Sequence, residues 1–127
     1  MFDFRKRRSI LVIEDDKVLA NLIEHRLTRH EKMRVISAPC GVSGLEAAAR
    51  ERPDLILLDI NLPGMSGYQV LEKLSLLDET RDTPVIAITA NAMNEDITNG
   101  NESGFKDYLT KPLDVEKFLD VSDQWLR

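Results

Sequence analysis

Five short apolar runs, alternating with stretches of helical spacing, limit what this chain can fold into more than any other feature. The runs are Ile10-Leu11-Val12-Ile13, Met33 to Ser37, Leu55-Ile56-Leu57-Leu58, Val85-Ile86-Ala87-Ile88 and Phe105 to Leu109. A continuous apolar run as short as Leu55 to Leu58, with a turn signal close behind, reads as a strand buried on both faces. Between them the period changes. Val18, Leu19, Leu22, Ile23 and Leu27 mark a helix over residues 16–30, a second lies around Leu45 to Arg50, and Val70, Leu71, Leu74 and Leu77 mark a third. A weaker helix follows the fourth run. Leu113 to Leu126 forms the last, with Val115, Phe118, Leu119 and Trp125 as its expected buried face. Strands alternating with helices imply βαβ units, right-handed crossovers and helices on both faces of a parallel sheet. The expected fold class is α/β: a doubly wound, five-stranded parallel sheet with five helices.

At 127 residues the chain suits one domain. No apolar stretch approaches the ~20 residues of a membrane-spanning helix, and Met1-Phe2-Asp3-Phe4-Arg5-Lys6-Arg7-Arg8 lacks the long apolar segment of a secretory signal. Cys40 is the one cysteine and cannot close an internal disulfide, which points to a reducing cytosol. Charge is placed unevenly: the net −5 divides into +3 over residues 1–8 and −8 over residues 9–127. An acidic body argues against nucleic acid as the main ligand. Residues 1–8 read as a solvated basic tail or the end of a linker, ahead of a domain over 9–127.

The polar groups that follow each run matter most for chemistry. Glu14, Asp15 and Asp16 follow the first run, and Asp59 follows the third, with Asn61 two residues on. Thr89 follows the fourth, and Thr110, Lys111 and Pro112 the fifth. In a parallel sheet these ends share one edge, where open α/β sheets bind ligands. Clustered carboxylates repel, so one takes a proton or a cation sits among them. A hard divalent cation such as Mg²⁺ suits an all-oxygen site and keeps several waters. Lys111 can neutralise a phosphoryl oxygen, Thr89 can donate a hydrogen bond, and a carboxylate is a known covalent acceptor of phosphoryl groups. Phosphoryl transfer needs mainly positioning and charge neutralisation, which this set offers.

Four segments carry a family resemblance: Ile10 to Asp16, Pro53 to Gly64, Pro84 to Ala90 and Tyr108-Leu109-Thr110-Lys111-Pro112. In this order and spacing they resemble the receiver domains of two-component response regulators, over about residues 9 to 126. The resemblance implies a flavodoxin-like sheet of order 2-1-3-4-5. It implies Asp59 as phosphoacceptor, with Mg²⁺ (or Mn²⁺) bound by Asp15 directly, by Glu14 through a water, by Asp59 and by the Asn61 backbone carbonyl. Thr89 would contact the phosphoryl group and Lys111 would pair with Asp59 or its phosphate. Tyr108 would be a rotameric switch coupled to Thr89, reshaping the face around residues 92–127. The Lys111-Pro112 bond would be cis. Glu14 is a mild departure, since many members have Asp there. The implied phosphoryl donor is a histidine kinase or histidine phosphotransfer protein, and the implied listener a downstream protein, in the cytoplasm. Neither nucleic acid nor membrane insertion is expected, and dimerisation through the last helix stays open.

No DNA-binding or enzymatic output segment is expected within these residues. A stand-alone regulator and a receiver excised from a hybrid histidine kinase both fit, the latter through Asn91-Ala92-Met93 and Asp114-Val115-Glu116-Lys117-Phe118. A Mg²⁺-dependent phosphohydrolase is a rival, but such enzymes usually carry an acid/base aspartate where this chain has Asn61. A dinucleotide-binding domain would need a G-x-G-x-x-G after the first strand. A phosphorylation-independent pseudo-receiver is a third alternative, opposed by the complete acid set with Thr89 and Lys111. Cys40 reads as inert, His25 and His30 as surface residues, and Trp125 as packing. Thr98 to Gly104 is rich in poor helix formers, so the fourth helix is expected to be short or frayed.

Overall fold

The computed structural model describes residues 8–31, 33–90 and 104–126. Five strands run through it: β1 (Ser9–Ile13), β2 (Arg34–Ala38), β3 (Leu55–Asp59), β4 (Val85–Thr89) and β5 (Asp107–Thr110). Four helices are seen among the described residues: α1 (Lys17–Glu31), α2 (Gly41–Glu51), α3 (Gly67–Leu76) and α4 (Val115–Leu126). The expected helix between β4 and β5, with its frayed end, lies outside the described residues. All pairings are parallel, in the order β2-β1-β3-β4-β5.

The three central strands form because their side chains are apolar on both faces, whereas the edge strands β2 and β5 are only partly buried and carry Arg34, Ser37, Asp107 and Thr110. β1, β3 and β4 are buried at every position. Their alternation divides the core in two. Leu11, Ile13, Ile56, Leu58 and Ala87 face a layer made with Ala47 and Ala48 of α2 and Val70, Leu71 and Leu74 of α3. Ile10, Val12, Leu55, Leu57, Ile86 and Ile88 face the opposite layer, with Ile23 and Leu27 of α1 and Phe118, Val121 and Leu126 of α4. A one-residue slip in register would exchange the two sets.

Two helix faces differ from their sequence reading. On α1, Ile23 and Leu27 are buried, but Val18 is 80% exposed and Leu22 40%; the apolar stripe is wider than the surface the sheet can cover. On α4 the buried residues are Phe118, Val121, Ser122 and Leu126, while Val115, Leu119 and Trp125 are half-buried at the flank. The helix starts two residues later than expected, and its buried i, i+3, i+4, i+8 stripe runs from Phe118 to Leu126.

Two caps set the helices that border the site. Asp16 opens α1: its Oδ1 accepts from the N–H groups of Val18 (2.9 Å) and Leu19 (3.3 Å). Ser66 opens α3 in a reciprocal box with Gln69, Oγ accepting from the Gln69 N–H and Gln69 Oε1 from the Ser66 N–H. Gly67 then passes so close to the end of β3 that a Cβ on it would lie 2.6 Å from Ile60 Cα and 2.8 Å from the Asp59 carbonyl oxygen.

Candidate functional site

The order β2-β1-β3 reverses the direction of winding between β1 and β3, and open sheets bind ligands outside the carboxyl ends of strands at such a point. Glu14 leaves β1 there and Asp59 ends β3. Both are buried, Glu14 at 3% and Asp59 at 1% exposure. Asp59 Oδ1 accepts from the Asn61 N–H (2.8 Å), and Oδ2 accepts from Lys111 Nζ (3.1 Å). Lys111 follows β5, and its backbone N–H donates to the Thr89 carbonyl (2.9 Å). The lysine therefore reaches across the end of β4 to meet β3.

Glu14 is held from both sides. Its Oε2 accepts from the Asp16 N–H (3.0 Å), and its Oε1 lies 3.0 Å from Lys111 Nζ. That second contact is an ion pair without hydrogen-bond alignment, so this buried oxygen has charge compensation but no directed donor among the described residues. Asp15 is exposed beside them. One carboxylate oxygen from each of Glu14, Asp15 and Asp59 lies within 4.8 Å of the others.

Three carboxylates against one ammonium leave two negative charges when all are ionised. Burial pushes the Glu14 carboxyl up to about 7, and the neighbouring Asp59 adds to the push, while the Asp16 N–H and Lys111 oppose it. Burial alone would lower the Lys111 ammonium. Its contacts with the Glu14 and Asp59 carboxylates outweigh that and hold it above its ordinary value. An all-oxygen donor set, a surplus of two negative charges and a buried oxygen lacking a donor fit a hard divalent cation.

The remaining expected residues fall around this pit. Thr89 is buried (2%) at the end of β4, beside Thr110 of β5. Tyr108 is half-buried; its hydroxyl is enclosed without a hydrogen-bond partner among the described residues, and burial pushes the phenol up to about 12. Its ring meets Phe105 edge-to-face at 5.9 Å, and Phe105 meets Tyr68 of α3 the same way at 5.8 Å. The Lys111-Pro112 bond is cis. His25 is exposed.

Sequence reasoning missed three contributors. The Asp16 main chain steadies Glu14, Gly67 abuts the Asp59 carbonyl, and Phe105 with Tyr68 walls Tyr108. Only Asp16 carried a local signal, as a helix cap. A hollow of about 230 Å³ lined by Ser75, Thr80, Arg81 and Lys106 lies elsewhere, at the opposite ends of the strands, and holds none of these groups.

Comparison with known proteins bears on the same segments. The polar-differentiation response regulator DivK of Brucella anthropi is 37% identical over 123 residues, covering 94% of this chain and 96% of DivK. The response regulator PleD of Caulobacter vibrioides is 45% identical over 105 residues, 83% of this chain but 23% of PleD. Among solved structures, the receiver domain of the sensor histidine kinase PA1611 from Pseudomonas aeruginosa PAO1 superposes with a TM-score of 0.85 at 33% identity, over 95% of this chain and 98% of that one. That receiver holds a coordinated magnesium ion in its active-site cleft. The chain spans less than half the length of several curated relatives it matches. No described helix is long and apolar enough to cross a membrane. The model of the response regulator receiver domain matches residues 10–122. Receiver domains are signalling modules of two-component systems rather than enzymes that turn over a substrate; they bind Mg²⁺ at an acidic pocket and meet histidine kinases or phosphotransfer proteins and downstream partners. With the fold, the strand-end acids and this match agreeing over nearly its whole length, the chain belongs to the response regulator receiver domain family.

Proposed function

We propose that this receiver takes a phosphoryl group from a phosphohistidine protein, a histidine kinase or a phosphotransfer protein, onto Asp59. The observation that carries the reading is the buried Asp59 carboxylate 3.1 Å from the Lys111 ammonium, with Glu14 and Asp15 oxygens within 4.8 Å. An Asp59 oxygen attacks phosphorus, the phosphorus–nitrogen bond to the donor imidazole breaks, and the imidazole keeps the electron pair. Lys111 offsets charge on the phosphoryl oxygens, and the Thr89 hydroxyl donates to one of them. The Asn61 N–H holds Asp59 Oδ1, which limits rotation of the nucleophile. Mg²⁺ (or Mn²⁺) would be held by Asp15 and Asp59, by the Asn61 carbonyl and by Glu14 through water, and when bound supplies charge neutralisation and orientation.

Phosphorylation would draw Thr89 inward and let Tyr108 re-pack, altering a surface read by a downstream protein. Tyr108's enclosed hydroxyl, without a partner among the described residues, supports a strained inward state, since an unmet buried donor costs ~1–3 kcal/mol. The receiver unit would occupy residues 9–127, in the cytoplasm, as a stand-alone regulator or as part of a hybrid kinase, with residues 1–8 as tail or linker. Incubation with acetyl phosphate and Mg²⁺ followed by intact-mass measurement tests this. A phosphate adduct on wild type, absent from Asp59→Asn and absent with EDTA, is expected. No adduct on wild type, or an equal one on the mutant, defeats the reading.

A further inference from the structure

One side of the sheet leaves an open groove between its two helices. α1 and α4 cover the layer of Ile10, Val12 and Leu57, and each follows a strand of the same parallel sheet, so they run side by side in one direction. A groove of about 610 Å³ separates them, lined by Leu22, His25, Arg26 and Arg29 of α1 and by Leu119 of α4. Val18, one turn before Leu22, extends the apolar end of the α1 bank and is 80% exposed. The two banks differ in sign. On α1 the groove side is basic, and Glu24 stands on the opposite flank. On α4, Glu116 and Asp123 flank Leu119 at i−3 and i+4, with Asp120 one turn after Glu116, while Lys117 stands on the opposite flank. Arg26, Arg29, Glu116 and Asp120 are exposed, and none makes an ion pair among the described residues.

A partner of one sign cannot match both banks. A polyanion would meet Arg26 and Arg29 but be repelled by Glu116 and Asp120, and a polycation would meet the reverse. A second copy carries both signs at the spacing of the first. Turned about a two-fold axis that runs along the groove, it lays its α4 on this α1 and its α1 on this α4, as an isologous pairing requires. Arg26 and Arg29 then face the partner's Asp120, Asp120 faces the partner's Arg26 and the partner's Arg29, and each Leu22 meets the other copy's Leu119. We infer that the α1–α4 face is a self-complementary docking surface for a second copy of this chain.

The size of the face sets the strength of the pairing. Helices of 15 and 12 residues are about 22 and 18 Å long, and two abreast, each about 10 Å wide, offer on the order of 400 Å². A stable interface buries about 800 Å² per partner, so this pairing is weak and reversible, with a Kd on the order of 100 μM. Contact among Val18, Leu22 and Leu119 supplies attraction, and the charges decide which face and which orientation meet. Glu14, Asp59 and Lys111 take no part in this face, so association needs no phosphoryl group.

Sedimentation equilibrium of the full chain, with no phosphoryl donor present, tests the inference. The average mass should rise from monomer toward dimer between about 10 and 500 μM protein, and association should weaken as salt rises from about 50 to 500 mM. Arg26→Glu/Arg29→Glu, and separately Glu116→Lys/Asp120→Lys, should each weaken self-association at least about tenfold. An equimolar mixture of the two variants should recover it to within about threefold of wild type, because each altered bank then meets its opposite sign. Lys73→Glu/Arg81→Glu, an equal charge change away from this face, should alter it less than about twofold. A chain monomeric at all these concentrations, reversed banks that associate as well as wild type, or a mixture that associates no better than either variant alone would each overturn it.

Discussion

At the scale of single residues, Glu14 is the group whose protonation is tied most directly to folding. Its folded pKa, about 7, lies above the ordinary 4.5. The folded state therefore binds more protons than the unfolded state between these values, and stability falls as pH rises through that window. The contribution is full below the unfolded value and lost above pH 7. With EDTA present, thermal unfolding should show a higher Tm at pH 5.5 than at pH 7.5, by on the order of 2 kcal/mol in stability. Glu14→Gln should flatten that slope. Glu51 acts the other way, because Arg34 and then Arg50 hold its carboxyl below its ordinary value; its share is lost only at acid pH. Mg²⁺ at a hundred times its Kd should add ~2.7 kcal/mol at pH 7.5. A metal-free protein equally stable at both pH values would count against a crowded acid pit.

At the scale of elements, the junction of β3 and α3 contrasts two neighbouring substitutions. Ser66→Ala removes a cap whose side chain accepts one N–H, and should cost ~1 kcal/mol in urea denaturation. Gly67→Ala places a Cβ against the backbone at Ile60 and Asp59, and should cost ~1–3 kcal/mol or more. It should also slow phosphate uptake from acetyl phosphate, which Ser66→Ala should leave near wild type. The strands were legible because Ile10 to Ile13, Leu55 to Leu58 and Val85 to Ile88 are apolar on both faces, a pattern with few other homes. The faces of α1 and α4 were not, because Val18 and Val121 are equally apolar and only the sheet's curvature and extent decide which is covered. Gly67 was illegible for a related reason: a close approach between residues eight apart in sequence leaves no local periodicity. The acids, Thr89 and Lys111 were legible as a set because parallel pairing delivers every strand end to one edge.

At the scale of the whole molecule, the two cores share one sheet, so neither can dissolve alone. Leu57 and Leu58, adjacent in β3, belong to opposite layers. Leu57→Ala and Leu58→Ala should each cost ~2–5 kcal/mol and leave unfolding a single transition by both backbone circular dichroism and fluorescence. Separate transitions by the two probes would show that the layers are independent units. The packing also has a spectroscopic consequence. The sole tryptophan, Trp125, packs against the layer of α1 and α4, and both tyrosines, Tyr68 and Tyr108, against the layer of α2 and α3. Nature has thus given each side of the sheet its own chromophore. Light absorbed at the red edge reports one side, tyrosine signals report the other, and an event confined to either can be located without a label.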